Sequence, residues 1–116
     1  LRDTGLPVVV VTNRGNKTGA TRKTPLMRVV DGANYVLVGS KGGAPENPVW
    51  VYNLRSDPKV EVRDKTEVFE MNTREVEAGA ERERLWSIAV EAYPPYADYK
   101  LKTARDIPVF LAEPIA

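Results

Sequence analysis

The chain of 116 residues contains neither cysteine nor histidine. Without cysteine it can form no disulfide bond and no thiolate metal site, a composition that suits a reducing cytoplasm. Without histidine it also lacks the most common metal ligand and the usual general base of enzymes. Oxygen ligands alone could hold a cation, but the sequence has no D-x-D-x-D-G loop, and we predict no metal. If the protein is an enzyme, a bound organic cofactor has to supply its difficult chemistry.

Long apolar runs are also missing. None approaches the roughly 20 residues that cross a bilayer, so we expect no transmembrane segment. Nothing at the start resembles a signal peptide, and we expect upstream residues because the sequence begins with Leu1. The hydrophobic fraction of 42% and the charged fraction of 28% are those of an ordinary soluble protein. We therefore predict one cytoplasmic domain over residues 1–116.

Positive charge is concentrated near the N-terminus. The net charge is only +1, yet residues 1–41 carry seven Lys or Arg against two Asp or Glu. Four of these cations, Arg14, Lys17, Arg22 and Lys23, surround a Gly-rich turn. A tight turn with free N–H groups and converging cations suits a polyanionic ligand. A solvated hairpin with incidental cations is an equally good interpretation of this composition.

A second Gly-rich loop follows at residues 40–45 and adds a fifth cation, Lys41. It precedes a predicted helix N-terminus at Asn47, which is a favourable place for negative charge. The simpler interpretation is that glycine only supplies positive φ angles here. If neighbouring strands join the two basic loops, both could converge on one anion.

Tyrosine recurs every third residue at Tyr93, Tyr96 and Tyr99. Its side chain can pack on a planar ring and donate a hydrogen bond from its hydroxyl group. From the spacing alone we favour the simpler interpretation, in which the three rings form half-buried edges of the core.

Hydrophobic periodicity predicts six strands, at residues 7–12, 24–30, 34–39, 59–63, 66–71 and 107–111. The continuous valine run at residues 8–11 indicates a first strand buried on both faces. Alternation in the fifth strand places Val68 inward, and Asp31-Gly32 is a hairpin signal.

Two or three helices are expected, at residues 48–55, 79–93 and 96–103, with Asn47 as the N-cap of the first and Pro48 as its first helical residue. Mostly antiparallel strands with interposed helices favour an α+β fold, and six strands are enough for a small barrel.

The ordered motifs of the chain closely resemble those of the deazaflavin-dependent nitroreductase family of actinobacteria. They run N-K-T-G-x-x-R-x-x-P-L, G-S-K-G-G-A-x-x-N-P-x-W-x-x-N-L, D-P-K-V, Y-P-x-Y-x-D-Y and a closing I-P-V strand before Glu113-Pro114. The resemblance spans Pro7 to Pro114. It implies a split β-barrel of the FMN-binding type, with coenzyme F420 as cofactor. The implied reaction is hydride transfer from the reduced deazaflavin to a flat electrophile: a quinone, a nitroaromatic or an activated enone such as an unsaturated lactone.

The resemblance also implies site residues. The coenzyme's phosphate, its oligoglutamate tail and the adjoining groove would be bound by Asn16, Lys17, Thr18, Arg22, Lys23, Thr24, Pro25, Leu26 and Met27. The deazaflavin side would be lined by Val38, Gly39, Ser40 and Lys41. The first helix would contribute Val49, Trp50, Val51, Tyr52 and Asn53. Tyr96 would lie near the ring and the substrate, with Tyr93 and Tyr99 beside it. Proton donors would be solvent, Ser40 or a pocket tyrosine, with Tyr96 ranked first.

Alternatives remain at this point. An FMN-dependent reductase of the same fold is one, although five cations fit the longer anionic tail of F420 better. A non-catalytic F420 carrier is another. Nucleic-acid binding is not expected, because the net charge is near neutral and no aromatic residue interleaves the basic loop. Relatives of this fold often pair, which suggests a homodimer. The family's N-terminal helical segment is absent from this sequence, and only such a segment would bring peripheral membrane contact.

Overall fold

The computed structural model describes residues 7–15 and 19–115. Within them lie seven strands and three α-helices. The strands are β1 (Val8–Arg14), β2 (Thr21–Met27), β3 (Val30–Asp31), β4 (Asn34–Val38), β5 (Lys59–Asp64), β6 (Glu67–Glu75) and β7 (Val109–Pro114). The helices are α1 (Val49–Ser56), α2 (Ala80–Ala92) and α3 (Pro95–Lys102). A single 3-10 turn, Lys41–Gly43, lies between β4 and α1.

The strands form one sheet in the order β2-β1-β5-β6-β7-β4-β3, and every neighbouring pair is antiparallel. Strands β2 and β4 lie far apart in this order but still contact each other, so the sheet curls into a half-barrel. The predicted α+β class with mostly antiparallel strands is confirmed. The predicted count of six strands is one too low, because residues 24–30 divide between β2 and the two-residue β3.

The core has two parts, which lie on opposite faces of β4 and β7. The barrel interior is filled by a cluster that includes Val9, Val11, Leu37, Val51 and Phe110. The second cluster lies beneath α2 and includes Val36, Leu85, Ala89, Val109 and Leu111. Strands β4 and β7 supply alternate residues to the two clusters and are therefore buried on both faces. At roughly 25 cal/mol per Å² of apolar area, this burial is the main stabilising contribution.

The prediction that the first valine run is buried on both faces was wrong. Val9 and Val11 are buried, but Val8 is 40% exposed and Val10 is only partly buried. Helix α2 packs on β3, β4 and β7, so the second face that it buries belongs to those strands. An unbroken apolar run indicates burial but cannot say which strand a helix covers.

The inward direction predicted for Val68 was also wrong. Val68 pairs with Arg63 and is 43% exposed, whereas Phe69 pairs with the buried Val62. Directly paired residues share one face of a sheet, and a shift of one residue reverses every side chain. The pairing of Asp64 with Glu67 sets this register.

The predicted β3–β4 turn and the predicted start of α1 each differ from the structure by one residue. The β3–β4 pairing joins Asp31 to Asn34, so the turn is Gly32-Ala33, with Gly32 at a φ of 63°. Helix α1 begins at Val49 and Pro48 occupies the N-cap position, without a side-chain cap. Asn47 does not cap the helix, because its amide oxygen accepts a hydrogen bond from Arg105.

No helix within the described residues is long and apolar enough to cross a membrane, and the longest, α2, has 13 residues.

Candidate active site

A cavity of about 360 Å³ lies between edge strand β2, the end of β4, the start of α1 and the tyrosines around α3. Its volume falls within the range of about 300–1,000 Å³ usual for small-molecule sites. Most of the wall is apolar or aromatic. The lining residues are Thr24, Pro25, Leu26, Met27, Val38, Ser40, Lys41, Gly42, Pro48, Trp50, Tyr93, Tyr96 and Tyr99.

Strand β2 forms one wall of the cavity. Within the described residues it is an edge strand of the sheet and pairs with β1 alone. Pro25 lies within the strand, where its missing N–H is tolerated on the unpaired side. The opposite wall begins where β4 ends at Val38 and the chain enters the Gly-rich loop. Ser40 is buried, with 6% of its surface exposed. Trp50 packs edge-on against Phe110, with the ring centroids 5.6 Å apart.

The three tyrosines form a compact cluster at the cavity. The Tyr93 and Tyr96 rings are 5.0 Å apart in a T-shaped arrangement, and the Tyr96 and Tyr99 rings are 6.2 Å apart. The hydroxyl groups of Tyr93 and Tyr99 share a hydrogen bond of 3.2 Å. Among the described residues the Tyr96 hydroxyl has no such partner, although Tyr96 as a whole is 96% buried. It is therefore available to a ligand in the cavity.

Burial strongly raises the pKa of the Tyr96 hydroxyl, because the charged phenolate would lose its hydration. The pKa of Tyr93 is also raised, first by the hydrogen bond with Tyr99 and then by burial. Both groups therefore carry their protons at neutral pH. A protonated phenol in a cavity can donate a hydrogen bond, or a proton, to a reacting oxygen.

Two cations, Arg22 and Lys23, lie at the start of β2. Arg22 and Thr24 are two residues apart and share a strand face, so their Cα atoms lie about 7 Å apart. Lys23 is on the other face of the strand. Arg22 and Lys23 are exposed, and in the described part of the chain no carboxylate is within ion-pair distance of either. Both are free to bind an anion, whereas Lys41 is 3.4 Å from Glu46 at the surface.

Several predicted residues lie beside the cavity rather than on its wall. Gly39 packs so closely on Val51 that an added Cβ would be 2.8 Å from the valine side chain. Val51 itself is fully buried in the barrel core. Asn53 is buried and donates a 3.1 Å hydrogen bond to the Asn13 side chain.

Val49 and Tyr52 are exposed on the outer side of α1, where the Arg55 guanidinium lies over the Tyr52 ring. Asn16, Lys17 and Thr18, predicted for the coenzyme tail, lie outside the described residues.

Sequence reasoning missed two lining residues and one supporting residue. Gly42 and Pro48 line the cavity, and both belong to motifs that we had recognised. Arg105 fastens the Gly-rich loop through its guanidinium group. Its bonds reach residues 58 to 66 positions away in the sequence. No local pattern around Arg105 could have indicated them.

The curled antiparallel half-barrel thus carries an aromatic cavity, and in the described residues Arg22 and Lys23 near it have no carboxylate partner. This combination suits a planar ligand with negative charge. Comparison with known proteins makes this more specific. A profile of the F420H(2)-dependent quinone reductase family matches residues 2–114. The F420H(2)-dependent quinone reductase Rv1261c of Mycobacterium tuberculosis is 35% identical over 105 residues, which are 89% of this chain and 70% of the relative. The chain belongs to the F420H(2)-dependent quinone reductase family. It is thus an oxidoreductase of a class that uses reduced coenzyme F420.

Solved structures agree with this assignment. An F420-H2 dependent reductase named FDR-A is 49% identical, with a TM-score of 0.86 over 92% of this chain and 94% of the other. A structure described as a domain-swapped dimer is also 49% identical, with a TM-score of 0.87 over 92% of this chain and 80% of the other. HutZ, a haem storage protein from Vibrio cholerae, is 18% identical with a TM-score of 0.69, over 95% of this chain and 82% of the other. At that identity the likeness concerns the fold alone, and it supports the predicted split barrel.

Proposed function

We propose that this protein transfers a hydride from reduced coenzyme F420 to a quinone, and that the cavity between β2 and α3 is where the transfer occurs. One observation carries this proposal: an aromatic cavity of ligand size lies beside cations that have no carboxylate partner in the described part of the chain. A planar ring with an anionic tail needs this combination.

The cavity residues fit the coenzyme by their chemistry. Trp50, Met27 and Val38 offer apolar surface to a planar ring, while Ser40 and Lys41 offer polar atoms at its edge. Arg22 can hold a phosphate or carboxylate through two parallel hydrogen bonds. The bound coenzyme supplies the hydride. The protein supplies orientation and a site with little water, and both lower the barrier to transfer.

Reduction of a quinone to a hydroquinone requires a proton in addition to the hydride. Tyr96 is our first candidate for donating it, because its hydroxyl is protonated, lies at the cavity and has no hydrogen-bond partner among the described residues. Ser40 is the second candidate. Tyr93 and Tyr99 pair with each other, and we assign them to holding Tyr96 in place.

The proposed acceptor class follows the relative Rv1261c, whose name states quinone reduction. Nitroaromatics and activated enones are also flat electrophiles and would fit the same aromatic walls. Side-by-side turnover measurements with one acceptor of each class, using reduced F420, would rank them. Turnover with nitroaromatics or enones but not with quinones would contradict the assignment to quinones.

A fluorescence titration with oxidised F420, run in parallel with FMN, tests the coenzyme. We expect F420 to bind with micromolar affinity or better and FMN to bind much more weakly. Tight FMN binding with no F420 binding would leave the fold and replace the cofactor. F420 binding without turnover of any acceptor would favour a carrier protein.

We further propose that the chain, residues 1–116, acts as one cytoplasmic coenzyme-binding domain and forms a homodimer. A single sheet supports one domain, the lack of cysteine suits the cytoplasm, and the relative described as a domain-swapped dimer supports the homodimer. Light scattering coupled to size-exclusion chromatography gives the mass directly. A mass near 12.9 kDa, that of one chain, at all concentrations would contradict the dimer.

A further inference from the structure

Arg105 lies just after α3 and hydrogen-bonds to the Gly-rich loop that lines the cavity. Its Nε donates to the carbonyl oxygen of Ala44 at 2.9 Å, and its Nη2 donates to that of Ser40 at 2.8 Å. Its Nη1 donates to the carbonyl oxygen of Gly39 at 3.2 Å and to Oδ1 of Asn47 at 2.7 Å. Four bonds from one side chain thus hold one loop.

All four acceptors of Arg105 are uncharged. Within residues 7–15 and 19–115, no carboxylate lies within ion-pair distance of its guanidinium group. A partly buried charge without a counter-ion is costly unless its donors are satisfied. Arg105 meets this condition by using four of its five N–H groups. Lysine could not, because its ammonium is a compact point charge on a flexible stem.

The direction of these bonds fixes the orientation of two peptide groups. In a trans peptide the C=O and the following N–H point in opposite directions. The carbonyl groups of Gly39 and Ser40 point to Arg105, so the N–H groups of Ser40 and Lys41 point away from it. Ser40 and Lys41 line the cavity, whereas Arg105 does not. In the described structure neither N–H group has an acceptor.

The loop that Arg105 holds also touches the tyrosine helix. Gly43 packs against the backbone of Tyr99, where an added Cβ would come within 2.9 Å of the carbonyl oxygen. Arg105 follows the end of α3 at Lys102 by three residues. Its hydrogen bonds therefore tie the end of the tyrosine helix to the loop on the neighbouring wall.

We propose that Arg105 is a positioning residue for the coenzyme: it orients the 39–41 peptides so that the N–H groups of Ser40 and Lys41 face hydrogen-bond acceptors of the bound ring. This inference rests on the proposed function, because it takes the ligand of the cavity to be F420. Arg105 acts through the loop and does not itself touch the ligand.

Titration of the Arg105→Met variant with F420 tests this role. Methionine replaces the apolar stem of arginine with an unbranched apolar chain and removes every donor. We expect the Kd for F420 to rise at least tenfold, while circular dichroism shows a folded protein. Arg74→Met is the matched control, because Arg74 binds Glu81 and Glu113 on the surface and lines no wall of this cavity. Its Kd should stay within twofold of wild type.

Two further measurements separate positioning from general support. Arg105→Lys keeps the positive charge but lacks the planar guanidinium group with its five donors. Its Kd for F420 should therefore rise nearly as much as that of Arg105→Met. In Arg105→Ala, added ethylguanidinium at non-denaturing concentration should tighten F420 binding at least fivefold, without an effect on wild type. Wild-type affinity in Arg105→Lys would show that charge alone is needed, which overturns the inference. Failure of ethylguanidinium to rescue binding would overturn it as well.

If Arg105→Met does not fold, the milder Asn47→Ala variant carries the test, since it removes one of the four acceptors. A threefold rise in Kd is expected, and an unchanged Kd would count against the inference.

Amide hydrogen exchange without coenzyme tests the loop-holding role of Arg105 separately from the proposed function. We call the four hydrogen bonds of Arg105 the clamp. The amides of Gly43 and Ala44 donate to Ser40 and Lys41 within the loop and should exchange at least tenfold faster in Arg105→Met. Faster exchange with no F420 binding to wild type would remove the proposed function, and with it the ligand role of Arg105. Unchanged exchange and unchanged Kd would remove the clamp alone.

Discussion

Gly43 packs directly against the backbone of Tyr99. A Cβ at residue 43 would lie 2.9 Å from the carbonyl oxygen of Tyr99 and 3.2 Å from its Cα. Gly43 also has a φ of 82°, in the left-handed region that other residues adopt only with strain. Glycine is thus needed twice at one position, and the contact joins the loop wall of the cavity to its tyrosine wall.

Gly43→Ala should destabilise the protein more than Gly42→Ala. Both residues have positive φ, so each substitution costs about 1–2 kcal/mol in backbone strain. Only at Gly43 does the added methyl group meet backbone atoms, because nothing lies within 4 Å of a Cβ at Gly42. Overpacking adds about 1–3 kcal/mol. Urea unfolding of the two variants measures the difference, and equal values would show that the approach to Tyr99 relaxes at no cost.

Tyr96→Phe should lower turnover without weakening coenzyme binding. The substitution removes a hydroxyl group at the cavity and leaves the buried ring in contact with Tyr93 and Tyr99. General acid catalysis contributes about 10²–10⁴-fold, most when the pKa of the acid lies near the working pH. Because burial raises the pKa of Tyr96, we expect a fall in kcat at the lower end, about 10²-fold. Steady-state kinetics and an F420 titration check both parts.

Tyr93→Phe serves as the control for this variant, since it breaks the hydroxyl pair with Tyr99 but keeps the Tyr96 hydroxyl. We expect a smaller loss of turnover in Tyr93→Phe, because that variant only weakens the support of Tyr96. If Tyr96→Phe retains full turnover, Tyr96 is not the proton donor.

Arg22→Ala should weaken binding of F420 more than binding of FMN. A hydrogen bond to a charged group contributes about 1.5–3 kcal/mol, and the F420 tail offers more anionic groups than a single phosphate. The loss should shrink as salt rises, because Arg22 is exposed. Arg63→Ala, an equal loss of charge on the outward face of β5, is the control. Equal losses in both variants would point to overall charge and not to contact with the tail.

The stability of the fold should depend on pH through Tyr35 and Asp64. The Tyr35 hydroxyl donates a 2.7 Å hydrogen bond to Asp64, and this bond, together with Arg28, lowers the pKa of the Asp64 carboxyl. Asp64 therefore stabilises the fold above its unfolded pKa of about 3.9, and this stabilisation is lost as pH falls through the lower folded pKa.

Tyr35 behaves in the opposite sense. Burial and the bond to Asp64 raise its pKa to about 12, so its contribution is complete below the unfolded pKa of about 10 and is lost as pH rises through about 12.

Tyr35→Phe tests both pH limbs at once. It should cost about 1–3 kcal/mol at neutral pH, because the buried Asp64 loses a donor while its Oδ1 already has no partner among the described residues. The loss of stability in acid should become less steep, and the alkaline loss that comes from Tyr35 should disappear. Thermal unfolding between pH 3 and pH 12 measures both limbs, with the exposed Tyr52→Phe as control. Parallel curves for the two variants would exclude the Tyr35–Asp64 coupling.

Local features of the sequence predicted much of the fold. Period-two alternation at Val60 and Val62, glycine and proline at the turns, and the apolar stripe of α2 gave the types of the elements and most of their positions. These features act between near neighbours, so they are readable without the rest of the chain. Two residues show the limits of prediction from local features. The β5–β6 pairing directs Val68 outward, and Asn47 accepts a hydrogen bond from Arg105 and does not cap the helix.

The residues of the candidate site likewise fall into two groups: those that a local motif predicts and those that only packing decides. The glycines, cations and tyrosines stand in recognisable motifs, and β2, the Gly-rich loop and the tyrosines do meet at one cavity. Which neighbours of those motifs turn inward was not readable: Trp50 reaches the cavity, Val51 enters the core and Tyr52 faces solvent. These three consecutive residues lie within one turn of α1 and point in directions about 100° apart. Only packing against the sheet decides which direction is inward.

The sequence by itself determined that the chain has no thiol or imidazole chemistry, that its net positive charge lies near the N-terminus, and that it carries the ordered motifs of an F420-dependent reductase. Only the tertiary structure decided which strands a helix covers, which hydroxyl at the cavity lacks a partner, and that Arg105 holds a loop some 60 residues away in sequence. Composition and motif are properties of adjacent residues. Burial, register and long-range hydrogen bonds exist only after the sheet has curled and brought distant segments together.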